Sequence, residues 1–554
     1  MSTGAPSSAL IAVGDVLHNG AIRRIEIAWT AGMAADGAFL VILLVVAYQA
    51  GGAVAAGILG AVRVVPSIIA APFAPGLVVR FRGDRVLAAI NVVRALGAIV
   101  TAAIVAIGLP TELTYVLAAV VAGAGSLVRA IQTALLPAFA RSPRELVAAN
   151  VASSMGEGLG TFIGPLLAGI LLATTGSVSA SILVAATFAG AAAALTGVRF
   201  ERSVDARGGI EPESKRPRIS EAPSVLRRYP TALVVTSDFA IQSLVRGLLV
   251  TLTVVGSIEL LGMGDSGVGL LTAAIGIGGL AGALGALGLK GGSGLGRVFV
   301  LALAAWGLPL VLIGAVPAPV VALAALFVVG GSNAVLDVSG FTLLQRGVRD
   351  EDRVTVFAAS ESLWASGVLL GSLLAPVLVA LFGPRGAFLA AGAVLPVLAL
   401  LTWRPIVGGS SVRDDAQVHH LALLRRNPLF APLPLTALDR LAESLSPVSF
   451  APGDLVMREG DPGDHYVLIA DGEVDVFADG RHRRTCGAGD GVGEIALLRS
   501  VPRTATVVAT TAVSGFAIDA STFLSAVSGP ASAAAAEAVA ASRLGELQVA
   551  DPAR

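Results

Sequence analysis

Long apolar runs, each close to the length of one bilayer crossing, follow one another from residue 26 to residue 403. A helix rises about 1.5 Å per residue, so roughly 20 apolar residues span a hydrocarbon core of about 30 Å. Twelve such runs stand out, at about 26 to 49, 53 to 79, 86 to 108, 113 to 139, 146 to 174 and 178 to 198, then 231 to 260, 266 to 289, 297 to 316, 319 to 345, 354 to 382 and 385 to 403. Beyond Pro428 the period changes to short alternating strands punctuated by glycine turns. The pattern predicts a mixed chain: an all-α bundle of twelve transmembrane helices followed by a soluble β-rich domain.

Loop charge tests the count, because Lys and Arg gather on the cytoplasmic side of a membrane protein. With the N-terminus inside, the cytoplasmic segments hold Arg23 and Arg24, Arg80, Arg82 and Arg85, Arg141 and Arg144, Lys290 and Arg297, Arg346, Arg349 and Arg353, and Arg404. The alternate loops, near Gly51, Pro110, Gly176, Gly262, Pro317 and Gly383, contain only Arg385. Both termini and the segment 199 to 230 are therefore expected in the cytoplasm, with the bundle in the inner (plasma) membrane. That segment is charged and carries Pro and Gly, so it reads as a solvated linker between two six-helix halves. Arg23 and Arg24 follow the mildly apolar start of the chain, whereas a secretory signal has its basic residues first, so the first helix is expected to be retained.

The expected organisation is a cytoplasmic N-terminal segment at 1–24, a six-helix bundle at 25–199, a linker at 200–230 and a second six-helix bundle at 231–404. A polar linker with a short amphipathic helix over 419–426 follows at 405–427, and the soluble domain occupies 428–548. Composition agrees: 55% of the 554 residues are hydrophobic and 14% charged, which suits a membrane protein with one soluble appendage. Lys+Arg and Asp+Glu balance at 38 each, so bulk charge points to no nucleic-acid partner. The single cysteine, Cys486, excludes an internal disulfide and a CxxC motif. No P-loop, nucleophile elbow or metal cluster suggests an enzyme.

The 6+6 layout, the stretch GTFIGPLLAG from Gly160 to Gly169 and the loop GLVVRFRGDR from Gly76 to Arg85 resemble the major facilitator superfamily, and within it the drug-exporter-like families. In Gly160, Gly164, Pro165 and Gly169 the chain is similar to a motif typical of antiporters there; physically, small residues four apart let helix backbones approach closely. The loop departs from the pattern G-x-x-x-D-R-x-G-R-R, with Arg80 where the acid belongs and Phe81 where an arginine belongs. The resemblance implies a secondary active transporter, a proton-coupled exporter of small molecules.

Ionisable groups inside hydrocarbon cost about 2.5 to 3.5 kcal/mol each on insertion scales, so each requires a reason. Asp36, Arg63, Arg94, Arg129, Glu157, Asp238, Arg246, Asp337 and Glu361 all fall within the runs. One reading is a set of structural ion pairs, preferred for the residues of the cytoplasmic half. The other is a proton or substrate pathway, with Asp36 first, because the resemblance puts helix one along the central cavity, and Glu157 second, because it precedes the Gly-Pro motif. Arg129, in RAIQ, resembles the start of a further family motif linked to proton coupling. Asp238, Gln242 and Arg246 lie four apart on one helix face, which should look into a cavity or toward the opposite bundle.

Within the soluble region, GEIALLRSVPRTATV from Gly493 to Val507, with the glycine turns of PGDLVMREGDPGD and DGEVDVF, resembles the phosphate-binding cassette of the cyclic-nucleotide-binding domain, a β-roll with flanking helices. A cyclic phosphate needs a fixed cation, for which Arg503 has bidentate geometry, and backbone N–H groups, which a short turn at Ile495 to Leu498, including Ala496, can offer. The resemblance assigns Glu494 to the ribose 2′-hydroxyl; Gly493 frees the backbone for the turn. Thr504, followed by Ala505, leaves the base open between cyclic AMP, the default, and cyclic GMP. The Ala-rich run 531–547 is a strong helix former and reads as the lid over the base. No cofactor or metal is implied; the expected partners are membrane lipid, a small-molecule substrate and a cyclic nucleotide. Two other readings stay open, a membrane-anchored nucleotide receptor with little transport and a carrier of lipid-like molecules.

Overall fold

The computed structural model describes residues 19–70, 83–139, 143–196, 222–286, 294–433 and 435–527. Three expectations fall outside them: most of the loop at 76–85, the charged linker up to residue 221, and the lid helix at 531–547. The chain divides into two compact units, Met1–Ser410 and Ser411–Arg554.

In the first unit the helices are α1 (Gly20–Ala70), α2 (Gly83–Ile107), α3 (Glu112–Phe139), α4 (Pro143–Thr174), α5 (Gly176–Leu195), the short α6 (Ala222–Leu226), α7 (Pro230–Val255), α8 (Gly264–Ala286), α9 (Leu295–Ala315), α10 (Pro319–Gly347) and α11 (Asp350–Arg426), whose last part, from Ser411, belongs to the second unit. Among the described residues ten helical segments are long and apolar enough to cross a membrane. Two are of double length, Gly20–Pro66 with 47 residues and Thr355–Gly408 with 54. α1 is broken at Gly51 and Gly52 and α11 at Gly383, the places where consecutive apolar runs meet. Gly52 and Gly383 have φ of 62° and 67°, a conformation that glycine tolerates without a Cβ clash.

α4 is wedged between two neighbours by its small residues. A Cβ on Gly164 would lie 2.0 Å from the Ala34 carbonyl oxygen of α1, and one on Gly169 would lie 2.7 Å from the Ser266 carbonyl oxygen of α8. The two halves of the unit thus meet along α4 and α8 at backbone distance, the close approach that small residues permit in a bundle. At one end of the bundle they are also tied by side chains: Tyr48 bonds Glu259, and Gln49 donates to Asp265 at 2.6 Å. Glu259 sits on a π-helical turn, Gly256–Leu260, that continues α7.

The stretch after Pro405 corrects the sequence reading. It is helical, and the expected amphipathic helix is the last part of α11 rather than a separate element. Between Pro405 and Pro428 no proline interrupts the backbone hydrogen-bond ladder, which explains the continuity.

In the second unit, after α12 (Leu435–Ser444), come β1 (Ser446–Phe450), β2 (Leu455–Met457), β3 (His465–Asp471), β4 (Val474–Ala478), β5 (Arg481–Cys486), β6 (Gly491–Val492), α13 (Glu494–Arg499), β7 (Thr506–Ala509), β8 (Val513–Asp519) and α14 (Ala520–Val527). Two four-stranded antiparallel sheets form, ordered β1-β8-β3-β6 and β2-β7-β4-β5. Strand alternation fills the space between them: Val474, Val476 and Ala478 of β4 are buried while Asp475 and Phe477 are half-buried. A second core, containing Leu424, Phe430, Tyr466, Leu497 and Phe523, seats the helices. Asn427 joins them to the roll, donating to Tyr466 Oη and to the Gly489 carbonyl, both at 3.0 Å.

Candidate functional site

The second unit brings Gly493, Glu494, Ile495, Ala496, Arg503, Thr504 and Ala505 together around one cavity. Gly493 caps α13 with φ of 101°, and a Cβ there would stand 2.4 Å from Arg503 Nη1, so backbone conformation and space both require glycine. The helix closes at once on Ser500, itself left-handed, and its N–H returns to the Ala496 carbonyl. The chain then doubles back through Pro502 so that Arg503 lies beside the start of the helix it followed.

Arg503 is 5% exposed. Its Nη1 donates to the Gly493 carbonyl at 3.1 Å, and Nη2 donates to the His465 carbonyl at 2.7 Å and to Asp464 at 3.1 Å. Burial pulls the guanidinium below its ordinary pKa range, while the carboxylates of Asp464, Glu494 and Asp461 act to keep it charged. Burial likewise pushes the Asp464 carboxyl up, but His465 and Arg503 outweigh it and hold the group below the usual carboxylate range. Glu494 is 3% exposed. A buried cation beside a buried carboxylate at the start of α13 suits an anion that also carries hydroxyls. The phosphate and ribose of a cyclic nucleotide have that chemistry.

The membrane unit distributes its charges differently. Asp36 pairs with Arg94, which is fully buried and also donates to the Gly32 carbonyl at 3.3 Å. Arg63 lies within electrostatic reach of both. Arg129 pairs with Glu157, and Glu361 feels Arg129 from the other half. The helix-seven stripe splits. Asp238 is buried at 1% exposure; among the described residues neither of its carboxylate oxygens is hydrogen-bonded, the hydroxyl of its polar neighbour Thr402 donating to the Leu398 carbonyl instead. Gln242 and Arg246 turn to Asn333 of α10, in their own half, not the opposite one.

Asn333 is a neutral hub among these charges, with no charge of its own to mark it in the sequence. Its Oδ1 accepts from Arg246, from Gln242 at 3.2 Å and from Trp306 at 3.2 Å, while its Nδ2 donates to Asp337 at 2.9 Å. Arg246, Asn333, Asp337 and Trp306 line a cavity of about 610 Å³, faced from α1 and α4 by Leu40, Leu44 and Glu157. Asp36, Arg63, Arg129, Asp238 and Glu361 are not among its lining residues. A further buried carboxylate escaped the sequence reading because it stands at the very start of the first run: Glu26, which accepts from Ser153 at 2.6 Å beside Gln132 of the RAIQ segment.

Residues 27–359 match the family described as Major Facilitator Superfamily, and residues 447–529 match the cyclic nucleotide-binding domain. Curated relatives are similar over the second region. The cAMP-dependent protein kinase regulatory subunit of Debaryomyces hansenii is 32% identical over 124 residues, 22% of this chain and 27% of that protein. Its counterpart in Colletotrichum orbiculare is 35% identical over 124 residues, 22% of this chain and 31% of that protein. The chain thus spans about a third or less of the length of these relatives. A solved regulatory domain of Toxoplasma gondii PKA with cAMP is 26% identical, covering 24% of this chain and 51% of that one, at a TM-score of 0.21.

Proposed function

Because the chain belongs to the Major Facilitator Superfamily and ends in a cyclic nucleotide-binding domain, we propose that it is a secondary active transporter whose activity is set by cyclic nucleotide. Its membrane part crosses the bilayer twelve times, the two double-length segments counting twice, with both termini cytoplasmic. The reading rests above all on one chain carrying both a largely apolar cavity with a polar network between two helical halves and the Arg503 cradle.

The transported molecule is a small, largely apolar compound exported against proton entry. Support comes from the lining: apart from the Arg246, Asn333 and Asp337 network and Glu157, the named walls are mainly aliphatic or glycine. Glu157 and Asp337 are the carboxylates best placed to exchange a proton with the cavity. Asp36 acts with Arg94 and Arg63 behind it, and Arg129, Glu361 and Asp238 serve conformational change rather than substrate contact. The bonds of Tyr48 to Glu259 and Gln49 to Asp265 close the far end of the cavity while the halves meet there.

In the cytoplasmic domain Arg503 takes the phosphate and Glu494 the ribose hydroxyl, with Gly493, Ile495, Ala496, Thr504 and Ala505 shaping the cassette. The names of the regulatory-subunit relatives speak for cyclic AMP, yet no residue of the cassette itself separates adenine from guanine. A ligand shifts a conformational equilibrium only by its differential affinity for the two states, typically worth about 5 to 150-fold.

The test has two stages. Efflux in cells with and without the protein, across dyes, drugs and lipids, identifies the substrate. Transport in proteoliposomes is then measured with and without cyclic nucleotide on the cytoplasmic face, for wild type and Arg503→Ala. The expected result is a nucleotide-dependent change in wild type that Arg503→Ala abolishes. Unchanged rate and substrate affinity in a wild type that binds nucleotide sinks the regulatory reading and leaves a membrane-anchored receptor.

A further inference from the structure

Side chains of β5 alternate between faces, and Cys486, fully buried with Val474, Val476 and Val507, marks the face that looks into the roll. Two residues earlier on that inward face stands Arg484, paired in register with Val476. An arginine on the core side of a strand requires a reason. The register also slips here: Val476 faces Arg484 and Phe477 faces His482, so Arg483 is the extra residue of a β-bulge. A bulge re-aims the side chain it carries. Both arginines line the same cavity as Gly493, Glu494 and Arg503. Neither forms an ion pair among the described residues, and Arg483 Nε is buried with no hydrogen-bond partner.

Phosphate does not account for them. A cyclic phosphate carries one negative charge, for which Arg503 is already buried and oriented. Glu494 answers the ribose. What remains of the ligand is the base, and the bases differ at the edge that a guanidinium reads. Arginine offers only donors. Guanine presents two acceptors side by side, N7 and O6, whereas adenine presents N7 beside the donor N6 amino group. Guanine therefore takes two parallel bonds from one guanidinium, while adenine takes one and sets a donor against a donor. Met457, Val476, Val492 and Val507, also in the lining, have no side-chain hydrogen-bond acceptor for the adenine amino group beyond the weak thioether sulfur.

We propose that the bulged pair Arg483 and Arg484 reads the purine edge and selects guanine, which makes cyclic GMP the preferred ligand of this chain against the cyclic AMP default. The proposal rests on the cyclic-nucleotide reading above and assigns the specificity that the cassette leaves open.

Isothermal titration of the full chain in nanodiscs with cyclic GMP, cyclic IMP and cyclic AMP tests it. Cyclic IMP keeps O6 and N7 but lacks the 2-amino group, so it isolates the edge in question. In wild type, cyclic GMP and cyclic IMP are expected to bind at least about fivefold tighter than cyclic AMP, the low end for one bidentate arginine contact. In R483A/R484A the three Kd values are expected to converge to within about twofold, through loss of cyclic GMP and cyclic IMP affinity. Cyclic AMP binding as tightly as cyclic IMP in wild type overturns the proposal, as does a double variant that weakens all three alike. Failure of the underlying reading looks different: wild type binds none of the three, or Arg503→Ala binds them as wild type does.

Discussion

The two units place their chemistry in opposite ways. In the second unit the residues proposed to take phosphate and ribose lie in one continuous segment, Gly493 to Ala505, folded back so that Arg503 touches the carbonyl of Gly493. In the membrane unit each polar cluster is gathered from helices far apart in sequence, as with Asp36 of α1 and Arg94 of α2, or Arg246 of α7 and Asn333 of α10. The physical reason is the solvent. In water a loop can present a site on its own, because its unpaired backbone groups are hydrated. In hydrocarbon each charge needs a partner from a neighbouring helix, so site and packing are built from the same residues. Function and stability should therefore separate cleanly in the soluble unit and resist separation in the membrane unit.

The strongest challenge to that contrast is Asp36→Asn. It leaves the fully buried Arg94 without its carboxylate, and breaking a buried pair from one side costs about 3 to 5 kcal/mol. Yield of monodisperse protein and thermal resistance in detergent are expected to fall sharply, and transport by more than about tenfold. The pairing with Arg94 gives Asp36 a structural part beside the proton-pathway role expected from the sequence. The double variant Asp36→Asn, Arg94→Gln sharpens the point, since it removes both charges. Recovery of stability without recovery of transport makes the pair functional; recovery of both makes it structural.

What was legible in the sequence follows the same division. Apolar runs mark spanning helices because the bilayer imposes their length, and glycines at Gly51 and Gly383 mark the breaks. The cassette is legible because its residues are neighbours in the chain. Asn333 was not, because a neutral amide gives no charge signal and its importance lies in three donors converging from α7 and α9. Arg483 and Arg484 stood outside the sequence reading, because only the register with β4 shows the bulge. The continuous α11 was missed because glycine and serine at Gly408 to Ser411 suggest a loop, while helix on both sides carries the chain through.

A smaller effect is expected at Gly164. A Cβ there meets the Ala34 backbone carbonyl at 2.0 Å, and backbone cannot step aside as a flexible side chain can. Gly164→Ala should force α1 and α4 apart, at an overpacking cost of about 1 to 3 kcal/mol. Because Glu157 on the same helix faces the cavity, transport should decline together with the unfolding temperature. A variant that loses stability at an unchanged transport rate would show that packing and site are separable in the bundle after all.

The smallest effect is the counterpart in the soluble unit, where the two properties should part. Asp519 opens α14: its Oδ1 accepts from the Thr522 backbone N–H at 3.0 Å and from Ser521 Oγ at 2.5 Å, and its Oδ2 accepts from Thr522 Oγ1 at 2.6 Å. These bonds from Ser521 and Thr522 hold the carboxyl down to about 2, and each favours the charged form. Asp519→Ala should cost about 1 kcal/mol of domain stability, the usual worth of an N-cap. Nucleotide affinity should stay within about twofold, since Asp519 lines neither the cavity nor the Arg503 hydrogen bonds. The sign with pH follows from the depressed carboxyl. Its stabilisation is present in full above the ordinary unfolded carboxylate range near 4 and is lost as pH falls from there toward 2. Denaturant unfolding of wild type and Asp519→Ala should therefore differ at pH 7, and the difference should shrink below about pH 4 and close as pH approaches about 2. A gap that persists undiminished at acid pH would mean that the loss comes from packing at the start of α14 rather than from the charged cap.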